Sequence, residues 1–240
     1  MAKTSDANTQ SDKRHPDKPH YSGHRKRLRE RFLKASSDLA DYELIELLLF
    51  AAMPRRDVKP IAKALLAKFG SFAAVLHAKE KALCEINGIG QTAAVSLLAV
   101  REASIRLLQI DATKQPILSN WQSLMDYCRA AMGHNTIEQF RIMFLNRKNM
   151  LIGDELQQQG TVDHTPVYPR EVIKRALDLG ASALILVHNH PSGDPSPSRA
   201  DIEMTKEIQA AGEKLGIEIH DHIVVSKSGN TSFKSLGLLS

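Results

Sequence analysis

Two histidines spaced H-x-H close an apolar run in LILVHNHPSGDPSPSRAD, residues 184–201. Two neutral imidazoles, His188 and His190, and one carboxylate, Asp201, form a three-ligand set of the kind a catalytic zinc site uses, with a fourth position left for water. On an extended segment His188 and His190 are i and i+2, so their side chains share one face. The ten residues between His190 and Asp201 are rich in Pro and Gly and fold back as a loop. Asp201 then falls in the first turn of the next helix, where its carboxylate offsets a helix dipole that disfavours a bound cation. Ser198 and Asp201 also read S-x-x-D, a capping-box variant with Ser198 as N-cap, and that cap could itself hold Asp201 in place. The competing reading of a lone strand-end histidine is a satisfied core residue. It explains H-x-H joined to a carboxylate less well. The absence of H-x-E with P-C-x-x-C counts against a zinc deaminase.

Elements that alternate in type must position this set. Residues 1–20 are polar and basic without apolar periodicity and are expected to be a disordered tail. Residues 21–110 read as a helical domain: LADYELIELLLFAA stopped by Pro54, an amphipathic helix from Val58 to Phe69 closed by Gly70, and a helix, a tight INGIG turn and an Ala/Leu-rich helix. Residues 111–119 are polar, contain a proline, and are expected to be a linker. Residues 120–240 form the second domain. EQFRIMFLN and NMLIGDEL are strands joined by a turn at Arg147 and Lys148, and QQGTVDH is a candidate third strand. PREVIKRALDLGA is a helix from Pro169 to Gly180, and SALILVH is a buried strand. A helix ending at Gly216 follows, and EIHDHIVVS and NTSFKSL complete the strands. The fold class expected is therefore α+β, or mixed α/β, with an all-helical N-terminal domain.

Composition bounds the rest. The chain has 240 residues, 42% hydrophobic and 25% charged, as in ordinary globular proteins. No apolar run approaches the ~20 residues of a membrane helix, and the polar N-terminus is no secretory signal. Cys84 and Cys128 match no zinc or redox spacing and read as reduced thiols. A cytoplasmic protein with no membrane partner is expected. The formal charge is +5, but residues 1–35 alone carry +6, which leaves −1 for the remainder. Such a basic arm either contacts phosphate or is simply solvated. In INGIGQTAA, Gly88 and Gly90 suit a helix-hairpin-helix turn that brings backbone N–H groups to a DNA phosphate. The other reading is a turn that only packs two helices. Glu85 and the lack of a neighbouring Lys or Arg count against contact, and the arm Arg25–Lys34 could supply the charge.

The string HNHPSGDPSPSRAD, with the pattern H-x-H-P-x(6)-S-x-x-D, resembles the JAMM signature of MPN-fold (JAB-type) metallopeptidases in the form found in RadC-type bacterial proteins. LNRKN, PREV, ALIL and DHIVV agree, as do RLRERF, DYELIELLL, RRDVKPIAKALLAKFGS and INGIG in the N-terminal half, so the resemblance covers residues 22–240. It implies one Zn²⁺ held by His188, His190 and Asp201, with Ser198 steadying a tetrahedral oxyanion. It also implies a glutamate that deprotonates water and protonates the leaving amine. The family pattern puts that glutamate at the first strand, which favours Glu138; Glu155 and Glu171 are alternatives. The substrate would be a peptide or protein amide. Tyr168 stands before PRE where a histidine is expected in relatives. His222 or Asp221 in IHDHI could orient a metal ligand or merely pack at a strand start. Two other readings stay open. One is a non-enzymatic, DNA-associated, repair-linked accessory protein with an idle or structural metal. The other is a metal-dependent nuclease, for which the metal loop holds few basic residues beyond Arg199.

Overall fold

The computed structural model describes residues 21–159 and 167–239. The expected tail, and residues 160–164 of the candidate third strand, lie outside them. Helices α1 (Tyr21–Lys34), α2 (Asp41–Ala52), α3 (Lys59–Phe69), α4 (Phe72–His77), α5 (Glu80–Cys84) and α6 (Gln91–Thr113) come first. Helix α7 (Trp121–Met132), strands β1 (Gln139–Leu145) and β2 (Leu151–Gln159), helix α8 (Pro169–Asp178), strand β3 (Ala183–Asn189), helix α9 (Arg199–Glu213), and strands β4 (Glu218–Val225) and β5 (Asn230–Ser232) follow.

The helical half closes over Leu28, Ile45, Leu49, Leu65, Val75, Leu83 and Leu97. Its helix ends follow local rules. Gly70 at φ +87° caps α3 in the left-handed region, and the Ser71 hydroxyl accepts the Ala74 N–H at the start of α4 (3.1 Å). Arg25, part of the basic arm, is not free for solvent. It is 8% exposed, donates to Met53 O at 2.6 Å, and lies 4.4 Å over the Phe50 ring. A guanidinium thus satisfies carbonyls at the end of α2 while its face covers an aromatic ring.

The sheet order is β2-β1-β3-β4-β5. The β3–β4 pair is parallel, with α9 as the crossover, and the other pairs are antiparallel. Every residue of β3 is buried, because helices cover both faces. Leu184 and Leu186 pack with Val172, Ile173 and Ile208 of α8 and α9. Ile185 and Val187 pack with Leu124, Met125 and Cys128 of α7. Two buried faces explain why LILV is a continuous apolar run instead of an alternating one. At the β1–β2 turn, Asn146 Oδ1 accepts the N–H groups of Lys148 (2.9 Å) and Met150 (3.1 Å).

Three sequence expectations change. The stretch 111–119 is a packed corner. Helix α6 continues to Thr113, because Ile105, Leu108 and Ala112 recur on one face and join the core beneath the sheet. Ile117 is fully buried, and its N–H donates to Asn149 O at 2.8 Å. Helix α7 was not anticipated, although Leu124, Met125, Cys128 and Met132 have helical spacing. NTSFKSL is strand only over Asn230–Ser232, and its Phe233 turns into the core, fully buried.

Leu124 joins α7 to the sheet and is fully buried. Leu124→Ala is expected to lower unfolding free energy by about 2–5 kcal/mol, measured by urea denaturation, with the metal-site geometry on the opposite sheet face retained.

Candidate metal centre

Strand β3 delivers His188 from its last turn of pleat, and the next extended residue but one is His190, whose N–H still pairs with Val225 O at 2.9 Å. The two imidazoles meet as the i, i+2 spacing requires: His188 Nε2 and His190 Nε2 lie 2.9 Å apart. Asp201 closes the triangle from the first turn of α9, with Oδ1 3.4 Å from His188 Nε2 and Oδ2 3.5 Å from His190 Nε2. Ser198 fixes that carboxylate as its capping reading implied. Its N–H donates to Asp201 Oδ2 at 2.7 Å, and its hydroxyl accepts the Asp201 N–H at 3.2 Å.

Hydrogen bonds to carbonyl oxygens determine where the imidazole protons sit. A carbonyl can only accept. His190 Nδ1 lies 2.9 Å from Asp194 O, so its proton is on Nδ1 and its Nε2 carries a lone pair. Thr205, fully within α9, gives its hydroxyl proton to Asp201 O at 2.5 Å. It must therefore accept from His222 Nδ1, 2.6 Å away. Burial, and then the neighbouring His188, hold the His222 pKa well below its usual value, so this ring is neutral and its Nε2 is an acceptor. His188 Nδ1, 2.8 Å from His222 Nε2, is then the donor, and His188 Nε2 carries a lone pair.

Two lone pairs and a carboxylate thus converge, and only a cation reconciles them. Burial by itself would raise Asp201, but the neighbouring His188 and His190, with Ser198, hold its carboxyl well below the ordinary range. His190 is raised chiefly by the adjacent Asp201 carboxylate, against the effect of burial. Without metal, a proton fills the same role. A tetrahedral ion with ligand distances of about 2.0–2.1 Å has ligand–ligand edges of about 3.3 Å. The edges here are 2.9, 3.4 and 3.5 Å. Among the described residues, His188, His190 and Asp201 are the group able to hold a metal ion.

The expected glutamates separate by position. Glu138 is exposed and precedes β1. The β1–β3 register pairs Phe140 with His188 and, continued by two residues, sets Glu138 across from His190. Its charge helps raise the His190 pKa. Glu155 sits opposite Ile142 on β2 and is engaged by Arg175, with Nη2 at 2.6 Å and Nε at 3.0 Å. Glu171 is at the start of α8 beside Arg170 (3.2 Å). Of the IHDHI residues, His222 reaches a ligand. Asp221 accepts the Lys234 N–H (3.0 Å) and holds the turn after β5. His220 lies near Asn149 (2.8 Å). Tyr168 is 54% exposed and precedes α8.

Sequence reasoning missed two residues. Thr205 lies one helical turn after Asp201, a spacing that puts both on one face of α9. Asn189, between the histidines, is completely buried. Its Oδ1 accepts the Gln139 N–H (2.8 Å), and its Nδ2 donates to Ile137 O (3.1 Å) and Asn135 O (3.4 Å). A polar residue inside a two-face-buried strand must find such partners, and here they are the backbone on both sides of Glu138.

In the N-terminal half, Gly88 has φ +99°, and a Cβ there would meet Arg56 Nη2 at 2.8 Å. Gly90 is the N-cap of α6. A cation therefore does adjoin the hairpin, brought by the α2–α3 connection instead of the basic arm. Glu85 is paired with Lys68 Nζ at 2.6 Å, and Arg31 of the arm is paired with Glu43 at 2.7 Å.

Thr205→Val removes the acceptor that orients His222. It is expected to weaken metal affinity by about 10–100-fold, while Thr205→Ser retains it, in competition titrations against a chromophoric chelator. Affinity is also expected to fall as pH drops through the imidazole range. His190, with its raised pKa, keeps a competing proton to higher pH than a free imidazole, whereas Asp201 stays ionised.

Two family models match the chain. The RadC-like JAB domain matches residues 118–238, which include the sheet, α7–α9 and all three candidate ligands. The UPF0758 N-terminal domain matches residues 22–95, the helical half up to the start of α6. With these two matches in this order, the chain belongs to the RadC family, a UPF0758-type helical domain followed by a JAB domain.

Proposed function

We propose that this protein is a zinc-dependent hydrolase that cleaves an amide bond in a peptide or protein. The observation that supports it most directly is the convergence of two oriented Nε2 lone pairs and one carboxylate with no fourth side chain among the described residues of the group. A structural zinc is normally closed by four protein ligands, whereas three suit catalysis. Zinc held by His188, His190 and Asp201 would supply a Lewis acid for the scissile carbonyl and for water. Glu138 takes the proton from the attacking water and passes it to the leaving amine. Asn189 holds the backbone on either side of Glu138. The Ser198 hydroxyl donates to the oxyanion of the tetrahedral intermediate. The Thr205–His222 relay keeps the His188 proton on Nδ1 through the cycle.

A second reading has its own observation. The guanidinium of Arg56 over Gly88, beside the start of α6, suits contact with a DNA backbone. On this reading the helical domain attaches the hydrolase to DNA, or the chain acts there as a non-enzymatic accessory protein.

The two separate in one set of assays on the full chain. His190→Ala is expected to lose bound zinc. Glu138→Gln is expected to keep it but to cleave a peptide library about 10²–10⁴-fold more slowly than wild type. Full activity in Glu138→Gln would remove Glu138 from the mechanism. A zinc-loaded wild type that cleaves no peptide, yet binds duplex DNA with an affinity that falls steeply with salt and with Arg56→Ala, would favour the accessory role.

A further inference from the structure

On the sheet face opposite the metal centre, a cavity of about 430 Å³ opens where the helical half meets the sheet. Helix α6 contributes Arg101 and Gln109, and β1 contributes Gln139 and Arg141. Tyr127 and Leu156 come from α7 and β2. The volume lies in the range that encloses a small organic molecule.

The charges in this cleft do not cancel. Arg141 Nη1 is paired with Asp154 at 2.6 Å, and the same carboxylate accepts the Tyr127 hydroxyl at 2.5 Å. Arg106, at the rim, is paired with Glu102 at 2.8 Å. His77 also lines the cleft, its ring nitrogens 2.9 Å from Ala73 O and 3.0 Å from Ala130 O. That leaves Arg101, half-buried, as the guanidinium of the cleft with no carboxylate partner among the described residues. Arg141 adds a buried Nε–H that has no acceptor among the described residues, a state uncommon in folded proteins. The amides of Gln109 and Gln139 supply further donors, and Ile105, Ala131 and Leu156 supply an apolar floor.

We propose that this cleft binds a small molecule carrying one anionic oxygen group, a phosphate or a carboxylate, with Arg101 as its main charge partner. A planar guanidinium suits either group bidentately. The site does not depend on the hydrolase reading. It does have a route to the metal centre: Gln139 lines the cleft, its side chain accepts from Asn135 Nδ2 at 2.7 Å, and its backbone N–H is held by Asn189, between the two histidines.

The test uses the ¹⁵N-labelled full chain with three probes: inorganic phosphate, a nucleoside monophosphate and a small dicarboxylate. The side-chain Nε–H signals of Arg101 and Arg141 and the amide of Gln139 should shift saturably with at least one probe. Preference for the nucleotide or the dicarboxylate identifies the source of the anion. Arg101→Ala, which places a strong helix former in α6, should weaken binding by about tenfold or more with an unchanged circular dichroism spectrum. His190→Ala should leave it intact. Absence of shifts with all three probes at millimolar concentration overturns the proposal. So does equal binding by Arg101→Ala, or loss of binding in His190→Ala, which would place the anion on the metal instead.

Discussion

The hydrogen bond from His188 Nδ1 to His222 Nε2 is the interaction on which the site depends. It is one link in a chain whose direction is imposed at its far end by a backbone carbonyl, that of Asp201. Reverse any link and His188 would present N–H, not a lone pair, to the shared point. Burial enforces the chain, because a charged His222 would have to exist with no access to water, between the rings of Phe140 and Phe233. The apolar core therefore does more than stabilise the fold: it keeps one imidazole neutral and so keeps its neighbour ready to coordinate.

The sheet separates two chemistries with one alternation. Along β1, Phe140 and Ile142 face α8 and α9, where the candidate metal ligands gather, while Arg141 and Met143 face the α7 side. Asn189 is where the two sides touch, since its amide reaches the backbone of the segment entering β1. Helix α6 extends the arrangement across the molecule. Its first turns pack Ala93, Ala94 and Leu97 into the helical core, and its last pack Ile105, Leu108 and Ala112 beneath the sheet. A single 23-residue helix thus belongs to both halves.

Much of this was legible in the residues. His188, His190 and Asp201 could be read because coordination needs few residue types at spacings that strand and helix geometry make sensible. The double burial of β3 was visible in LILV, and Gly70 and Pro54 marked helix ends by backbone sterics alone. Other features were hidden for physical reasons. A polar surface on the end of α6 looked like a linker, because one buried stripe suffices for a helix and its other faces are free to be polar. Thr205 and Asn189 act through hydrogen bonds to distant backbone, and such partners are set by tertiary structure. Arg56 reaches the hairpin from 32 positions earlier in the chain, a proximity that local sequence does not encode.

Asp201 Oδ2 has two employers. It accepts the Ser198 N–H that starts α9 and also faces His190. A helix cap of this kind is worth about 0.5–2 kcal/mol, so whatever draws that oxygen away loosens the first turn, and whatever anchors it tightens the turn. Any ion held by this carboxylate would therefore be thermodynamically linked to local order at the head of α9. Were an ion held there, its loss would register as fraying of one helical turn, the turn that Ser198 caps.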